Sequence, residues 1–208
     1  NKNFVRLCLS IINPIHKDLF DKKATQFIHG KSNTGKTTLV VLPLNNYYLN
    51  ENVGTIVNTK NFKFQDLEGK SIGIIDEGRY NSSMSSDFLK ITGAENTKVE
   101  QKYSKNHISI EPIPLFILTN TLFVDKDKSV DEALKNRLFI IEFINTISKE
   151  NLNNSKEFKK KLKDEEANII VYCNKLLFRL NKNKHIKGTK INNNEIIKLI
   201  ENKEEFLI

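Results

Sequence analysis

Gly30-Lys31-Ser32-Asn33-Thr34-Gly35-Lys36-Thr37 fits the spacing G-x-x-x-x-G-K-[ST]. It decides the fold because its residue types together serve one end, the holding of a chain of phosphates. The glycines let the backbone turn tightly enough for successive N–H groups to face an anion, and a helix starting over Thr38-Leu39-Val40-Val41 adds its positive end to that field. Lys36 is placed to hold the β and γ phosphates, and the Thr37 hydroxyl to ligate Mg²⁺. The candidate nucleotide-binding segment is Gly30, Lys31, Ser32, Asn33, Thr34, Gly35, Lys36, Thr37 and Thr38. Its context agrees: Ala24-Thr25-Gln26-Phe27-Ile28-His29 is a β-rich run directly before Gly30, giving the strand, loop, helix order that the motif needs.

Outward from the loop, Ser71-Ile72-Gly73-Ile74-Ile75-Asp76-Glu77 is an apolar strand that delivers two carboxylates at its end. Of the pair Asp76 and Glu77, one acid can take the second shell of Mg²⁺, and its neighbour can accept a proton from an attacking water. Pro114-Leu115-Phe116-Ile117-Leu118-Thr119-Asn120 ends in a polar residue in the same way. Ligand sites of open parallel sheets lie at the carboxyl ends of strands, which puts Asn120 beside the γ-phosphate as an orienter of water. A fourth run, Leu138-Phe139-Ile140-Ile141-Glu142-Phe143, follows Asn136-Arg137. An arginine leading into a core strand either faces solvent or meets an anion, and its chemistry alone leaves both open.

Two alternating runs, Thr97-Lys98-Val99-Glu100-Gln101-Lys102 and His107-Ile108-Ser109-Ile110-Glu111, flank the polar Tyr103-Ser104-Lys105-Asn106 and predict a β-hairpin. Lysines on such a tip either follow phosphates without reading bases or keep a solvated loop soluble.

The ordered set GKSNTGKTT, IIDEG, KVEQKYSKNHISIEPIP, PLFILTN and NRLFIIEF resembles the superfamily 3 helicase domain of small DNA viruses. It is most like that of parvovirus Rep and non-structural replication proteins, with the papillomavirus replicative helicase close behind. The likeness runs from Phe27 to Phe143. It implies Lys36 and Thr37 as the Walker A lysine and Mg²⁺-binding hydroxyl, Asp76 and Glu77 as the Walker B acids, and Asn120 as the polar residue of motif C. It further implies Arg137 as an arginine finger reaching the ATP of a neighbouring subunit. The hairpin is then the DNA-gripping element of a central channel, with Lys102, Tyr103, Lys105 and His107 as its contacts. Lys31 departs from the family pattern, which usually has proline there. The implied fold is an α/β P-loop NTPase of the AAA-like type, a central parallel sheet flanked by helices. The implied activity is ATP-driven translocation on single-stranded or forked DNA by a homo-oligomeric, hexameric ring, with ATP and Mg²⁺ as cofactors. An RNA helicase of a positive-strand RNA virus and an ATP-gated DNA-binding or packaging module are the alternatives that share the core motifs.

Composition sets the outer limits. With 208 residues of which 38% are hydrophobic, the chain can bury one good core, and a formal charge of +8 favours a polyanionic partner. No apolar run approaches the roughly 20 residues needed to span a bilayer, so a soluble, intracellular protein with no membrane partner is expected, in the host nucleus for a nuclear DNA virus and otherwise in the cytoplasm. Cys8 and Cys173 lie far apart without a C-x-x-C or Cys/His cluster, which indicates neither a disulfide framework nor zinc and fits a reducing compartment. The chain begins at Asn1 without a signal peptide, as a segment of a longer protein would.

Three regions are expected: an N-terminal helical segment over residues 1–22, the P-loop core over 23–146, and a C-terminal helical piece over 147–208. Phe4 to Ile12 reads as an amphipathic helix stopped by Asn13-Pro14 and packed beneath the core, with a short helix from Ile15 to Phe20. Further helices are expected over Asn81 to Ile91, ended by Thr92-Gly93, and over Asn192 to Phe206. Asp125-Lys126-Asp127-Lys128 reads as a surface loop, and Lys156 to Lys163 as a solvated basic face. Asp164 to Leu180 is a long helical pattern with Ile169, Ile170, Tyr172, Cys173, Leu176, Leu177 and Leu180 toward a core.

Overall fold

The computed structural model describes residues 2–12, 15, 25–56, 64–76, 90–93, 95–100, 107–120, 138–148 and 155–180. The chain divides into two compact units, residues 22–163 and residues 1–21 together with 164–208.

The larger unit is built on five parallel strands: β1 (Thr25–His29), β2 (Val53–Ile56), β3 (Ile72–Ile75), β6 (Leu115–Thr119) and β7 (Leu138–Glu142). Their order across the sheet is β2-β3-β6-β1-β7. The strands β3 and β6 read as near-continuous apolar runs because they lie inside the sheet and are covered on both faces. β1 lies inside with them although Thr25, Gln26 and His29 are polar, and every residue of the three is buried except the half-buried His29. The edge strand β2, short and interrupted by Gly54, has no counterpart in the sequence reading. Leu67 fills the notch over Gly54 and Gly73, where a Cβ on either glycine would run into it.

A two-stranded antiparallel sheet of β4 (Thr97–Glu100) and β5 (His107–Ile110) stands on this core as the expected hairpin, with Val99 opposite Ile108 and Glu100 opposite His107. Its base is anchored by period-two alternation. Val99 and Ile110 are buried in one cluster with Phe27, Ile75 and Ile117, while Lys98 and Ser109 point to solvent. The predicted tip, 101–106, lies outside the described residues. So do the expected surface loop at 125–128, the helices over 16–20 and 192–206, and most of the helix before Ile91, of which residues 90–92 are helical.

In the smaller unit, α1 (Lys2–Ile12) packs against a long C-terminal helix, Glu166–Leu180. That helix is its partner within the unit. Cys8, Leu9, Ile11 and Ile12 of α1 are buried, as are Cys173, Leu176 and Leu177 of the other helix, at the helical spacing expected of an apolar stripe. Tyr172, expected toward the core, is 43% exposed. Its turn of the helix faces away from the stripe that Cys173 and Leu176 define. The two cysteines, 165 positions apart, lie side by side as free buried thiols. The Cys173 contact and burial push the Cys8 thiol well above the ordinary range, and the Cys8 contact holds the Cys173 thiol below it.

The basic run forms an exposed helix of its own, Ser155–Asp164, with a solvent-facing Lys161–Glu157 ion pair at 2.8 Å. Such a pair contributes little. Among the described residues no helix is long and apolar enough to cross a membrane.

Candidate nucleotide site at the carboxyl edge of the sheet

Because all five strands run parallel, their carboxyl ends share one edge, and β1, β3 and β6 each deliver a polar residue there. The loop leaving β1 is gripped from both sides. The Gly30 N–H donates to the Thr119 carbonyl at 3.3 Å, and the Phe143 N–H donates to the His29 carbonyl at 2.8 Å. Gly30 is required by this crowding, since a Cβ there would collide with the Phe143 backbone. Asn33 at φ 60° and Gly35 at φ 85° sit in the left-handed region, and these two turns wrap the loop back on itself.

The helix that follows opens with a widened π turn, Thr37–Val41, and continues as α2 (Leu42–Tyr47). Pro43 explains the widening. It has no N–H to give, and the looser turn before it keeps its ring clear of the preceding carbonyls.

Lys36 folds inward over the loop and is only 8% exposed. Its ammonium donates to the Gly30 carbonyl at 2.5 Å, the Lys31 carbonyl at 2.7 Å and Asn120 Oδ1 at 2.9 Å, with Thr34 Oγ1 at 3.3 Å. The Thr34 hydroxyl in turn donates to the Lys31 carbonyl at 2.9 Å. Burial pushes the Lys36 ammonium below the ordinary lysine value, and the Asp76 carboxylate pulls it back up.

A cavity of about 300 Å³ opens at this edge, lined by Ser32 to Thr38, Asp76, Leu118, Thr119, Asn120 and Ile147. The structure thus brings together the predicted Ser32, Asn33, Thr34, Gly35, Lys36, Thr37, Thr38, Asp76 and Asn120. Gly30 and Lys31 contribute their carbonyls to Lys36 from behind. Glu77, Lys102, Tyr103, Lys105 and Arg137 lie outside the described residues. His107 is exposed on the first residue of β5, across from Glu100.

Three lining residues lie outside the predicted site. Leu118 and Thr119 belong to the strand that carries Asn120. Ile147 comes from the stretch after β7, where its N–H donates to the Asn33 carbonyl at 2.8 Å and its side chain reaches over Gly35. No motif marks Ile147, and only the path of the chain across the loop reveals it. Among the described residues no three His, Cys, Asp or Glu side chains gather into a metal cluster. The Thr37 hydroxyl and the Asp76 carboxylate form instead a sparse oxygen set. That suits Mg²⁺, which keeps its waters and takes few protein ligands.

A parallel sheet with the phosphate-loop strand flanked by β6 and β7, and with carboxylate and amide groups at neighbouring strand ends, defines a P-loop NTPase of the AAA-like type. The same fold is seen in NtrX from Brucella abortus in complex with ATP, at TM-score 0.51 and 13% identity over 81% of this chain and 42% of that one. JCV helicase is also similar, at TM-score 0.49 and 16% identity over 98% of this chain and 56% of that one. The chain belongs to the family of the parvovirus non-structural protein NS1, whose model matches residues 7–195. It is 30% identical over 128 residues to the initiator protein NS1 of human parvovirus B19. That alignment covers 59% of this chain and 19% of the B19 protein, so the chain spans about a fifth of the length of the curated relatives it matches.

Proposed function

We propose that this chain is the ATPase motor of a viral DNA replication helicase, hydrolysing ATP at subunit boundaries of a ring and translocating on single-stranded DNA. The observation that carries the reading is the convergence of the Lys36 ammonium, the Asp76 carboxylate and the Asn120 amide on one cavity at the carboxyl edge of β1, β3 and β6. Membership of the NS1 family supports the direction toward viral replication.

In this reading Lys36 neutralises phosphate charge, and the loop N–H groups line the rest of the phosphate chain. Thr37 and Asp76 would hold Mg²⁺, which when bound screens the charge on the phosphate oxygens. Glu77 accepts the proton of the attacking water, and Asn120 orients that water. Arg137 from a neighbouring subunit stabilises charge on the transferring phosphoryl group, a contribution of about 10³ to 10⁵ in rate in GTPases that use such an arginine. Lys102, Tyr103, Lys105 and His107 contact the DNA strand, with Val99 and Ile110 holding the base of their hairpin on the core.

The test is ATP hydrolysis with and without single-stranded DNA, together with strand displacement on a forked duplex. Wild-type chain is expected to hydrolyse ATP faster with DNA and to displace the strand, while Glu77→Gln binds ATP without turning it over. DNA-stimulated hydrolysis without displacement would turn the reading toward an ATP-gated binding module. No hydrolysis under any of these conditions would remove it.

A further inference from the structure

We infer that Asn120 competes with the nucleotide's phosphates for the Lys36 ammonium, so that phosphate binding releases the Asn120 side chain and frees it for the reacting end of the nucleotide. The inference rests on the nucleotide-binding reading above.

An ammonium has three N–H groups, and the four oxygens around Lys36 engage all of them. Lys36 is buried, so a phosphate oxygen reaches it only by displacing one of these acceptors. The four are not equally movable. The Gly30 carbonyl belongs to a residue held between β6 and β7 by the Gly30 to Thr119 and Phe143 to His29 bonds. The Lys31 carbonyl also accepts the Thr34 hydroxyl, so it and Thr34 Oγ1 are tied into the loop as a unit. Asn120 Oδ1 is different. It sits on an exposed side chain that reaches Lys36 from another strand, 84 positions away in sequence, and it lines the cavity itself. Rotation about its side-chain bonds hands the amide to water without moving any backbone. Asn120 is therefore the acceptor that yields, and in yielding it gains freedom at the moment the nucleotide arrives.

An asparagine that only touches the γ-phosphate would, when removed, weaken ATP and leave ADP untouched. A competitor for Lys36 has the opposite sign on ADP. Asn120→Ala and Asn120→Ser are expected to bind ADP about three- to tenfold more tightly than wild type, the size of one ordinary net hydrogen bond exchanged against water, while ATP turnover falls. In a Lys36→Ala background the same substitutions lose their effect on whatever ADP binding remains, since the shared partner is gone.

The measurement is titration of a fluorescent ADP analogue into wild type, the two Asn120 variants, Lys36→Ala and the double variants, with thermal melts to verify folding. Tighter ADP in both variants, lost in the Lys36→Ala background, supports the competition. Unchanged or weaker ADP in folded variants of a chain whose wild type binds ADP overturns it and leaves the nucleotide site standing. A wild-type chain that binds neither ADP nor pyrophosphate removes the nucleotide site and this inference with it.

Discussion

Two polar pairs link distant parts of the chain, the buried Lys36 with the exposed Asn120 at the sheet edge and the buried Cys8 with Cys173 between the two helices of the smaller unit. Both pairs join elements far apart in sequence, yet they differ in what surrounds them. The lysine carries a charge that burial disfavours, borders a cavity, and is held by an acceptor that can be exchanged. The thiols are weak donors and acceptors on helices whose Leu9, Ile12, Leu176 and Leu177 are buried as they are. A polar pair marks a candidate site when it holds charge next to space and an alternative partner. Without those it is packing.

The largest effect sharpens the first half of that contrast, because the polar cluster stands on an apolar floor. Phe27 is 1% exposed at the centre of β1. Phe27→Ala is expected to cost about 3–5 kcal/mol in denaturant unfolding through the cavity it leaves. Phosphate binding should then disappear with the fold rather than separately from it. Intact nucleotide affinity in a strongly destabilised Phe27→Ala chain would mean that the loop holds its shape without the sheet.

Next in size is Lys36→Ala, expected to weaken ADP about 100-fold in a calorimetric titration. The same variant relieves a buried charge, so its melting temperature should hold or rise. A fall in stability as large as the fall in affinity would make Lys36 a structural strut and bring it closer to the thiol pair.

A pH titration separates the regions more gently. Burial lowers the Lys36 ammonium below its ordinary value of 10.5, so between the lowered value and 10.5 the unfolded chain binds more protons than the folded one. The cost of burying the charge is therefore present below that window and is relieved as pH rises through it. ADP affinity runs the other way. It needs the ammonium, so it is expected to decline as pH rises through the lowered value, before an ordinary lysine would titrate. Affinity that stays flat up to about 10.5 would show that Asp76 and the loop carbonyls offset the burial entirely.

How far the sequence made these regions legible follows the same division. The phosphate loop, Asp76 and Asn120 are readable because their chemistry demands particular residue types at strand ends. Apolar runs of four or five residues predict β3, β6 and β7, and the β-rich run before Gly30 predicts β1. Alternation predicts the hairpin of β4 and β5. The strand β2 escapes because four residues with a central glycine, Val53–Ile56, carry no period strong enough to register. Ile147 escapes because an aliphatic side chain lining a cavity looks like any other. The Cys8–Cys173 contact escapes because nothing in a linear pattern sets the rotation of two helices about each other, and the same ignorance turned Tyr172 inward when it is half exposed.

The smallest expected effect tests the second half of the contrast. If the thiols only pack, Cys8→Ala and Cys173→Ala should each cost about 1 kcal/mol, a shift of a few degrees in the melt of a chain this size. The double variant should cost less than the two singles added, because the thiol contact is counted in both. ADP affinity should not change in any of the three. In native protein at neutral pH both thiols should resist iodoacetamide, since both are buried and Cys8 is held as the neutral thiol, and both should react once urea unfolds the chain. Rapid native labelling would show that the thiols are not packed away, and weakened ADP binding in the double variant would show that the helix pair is coupled to the nucleotide site.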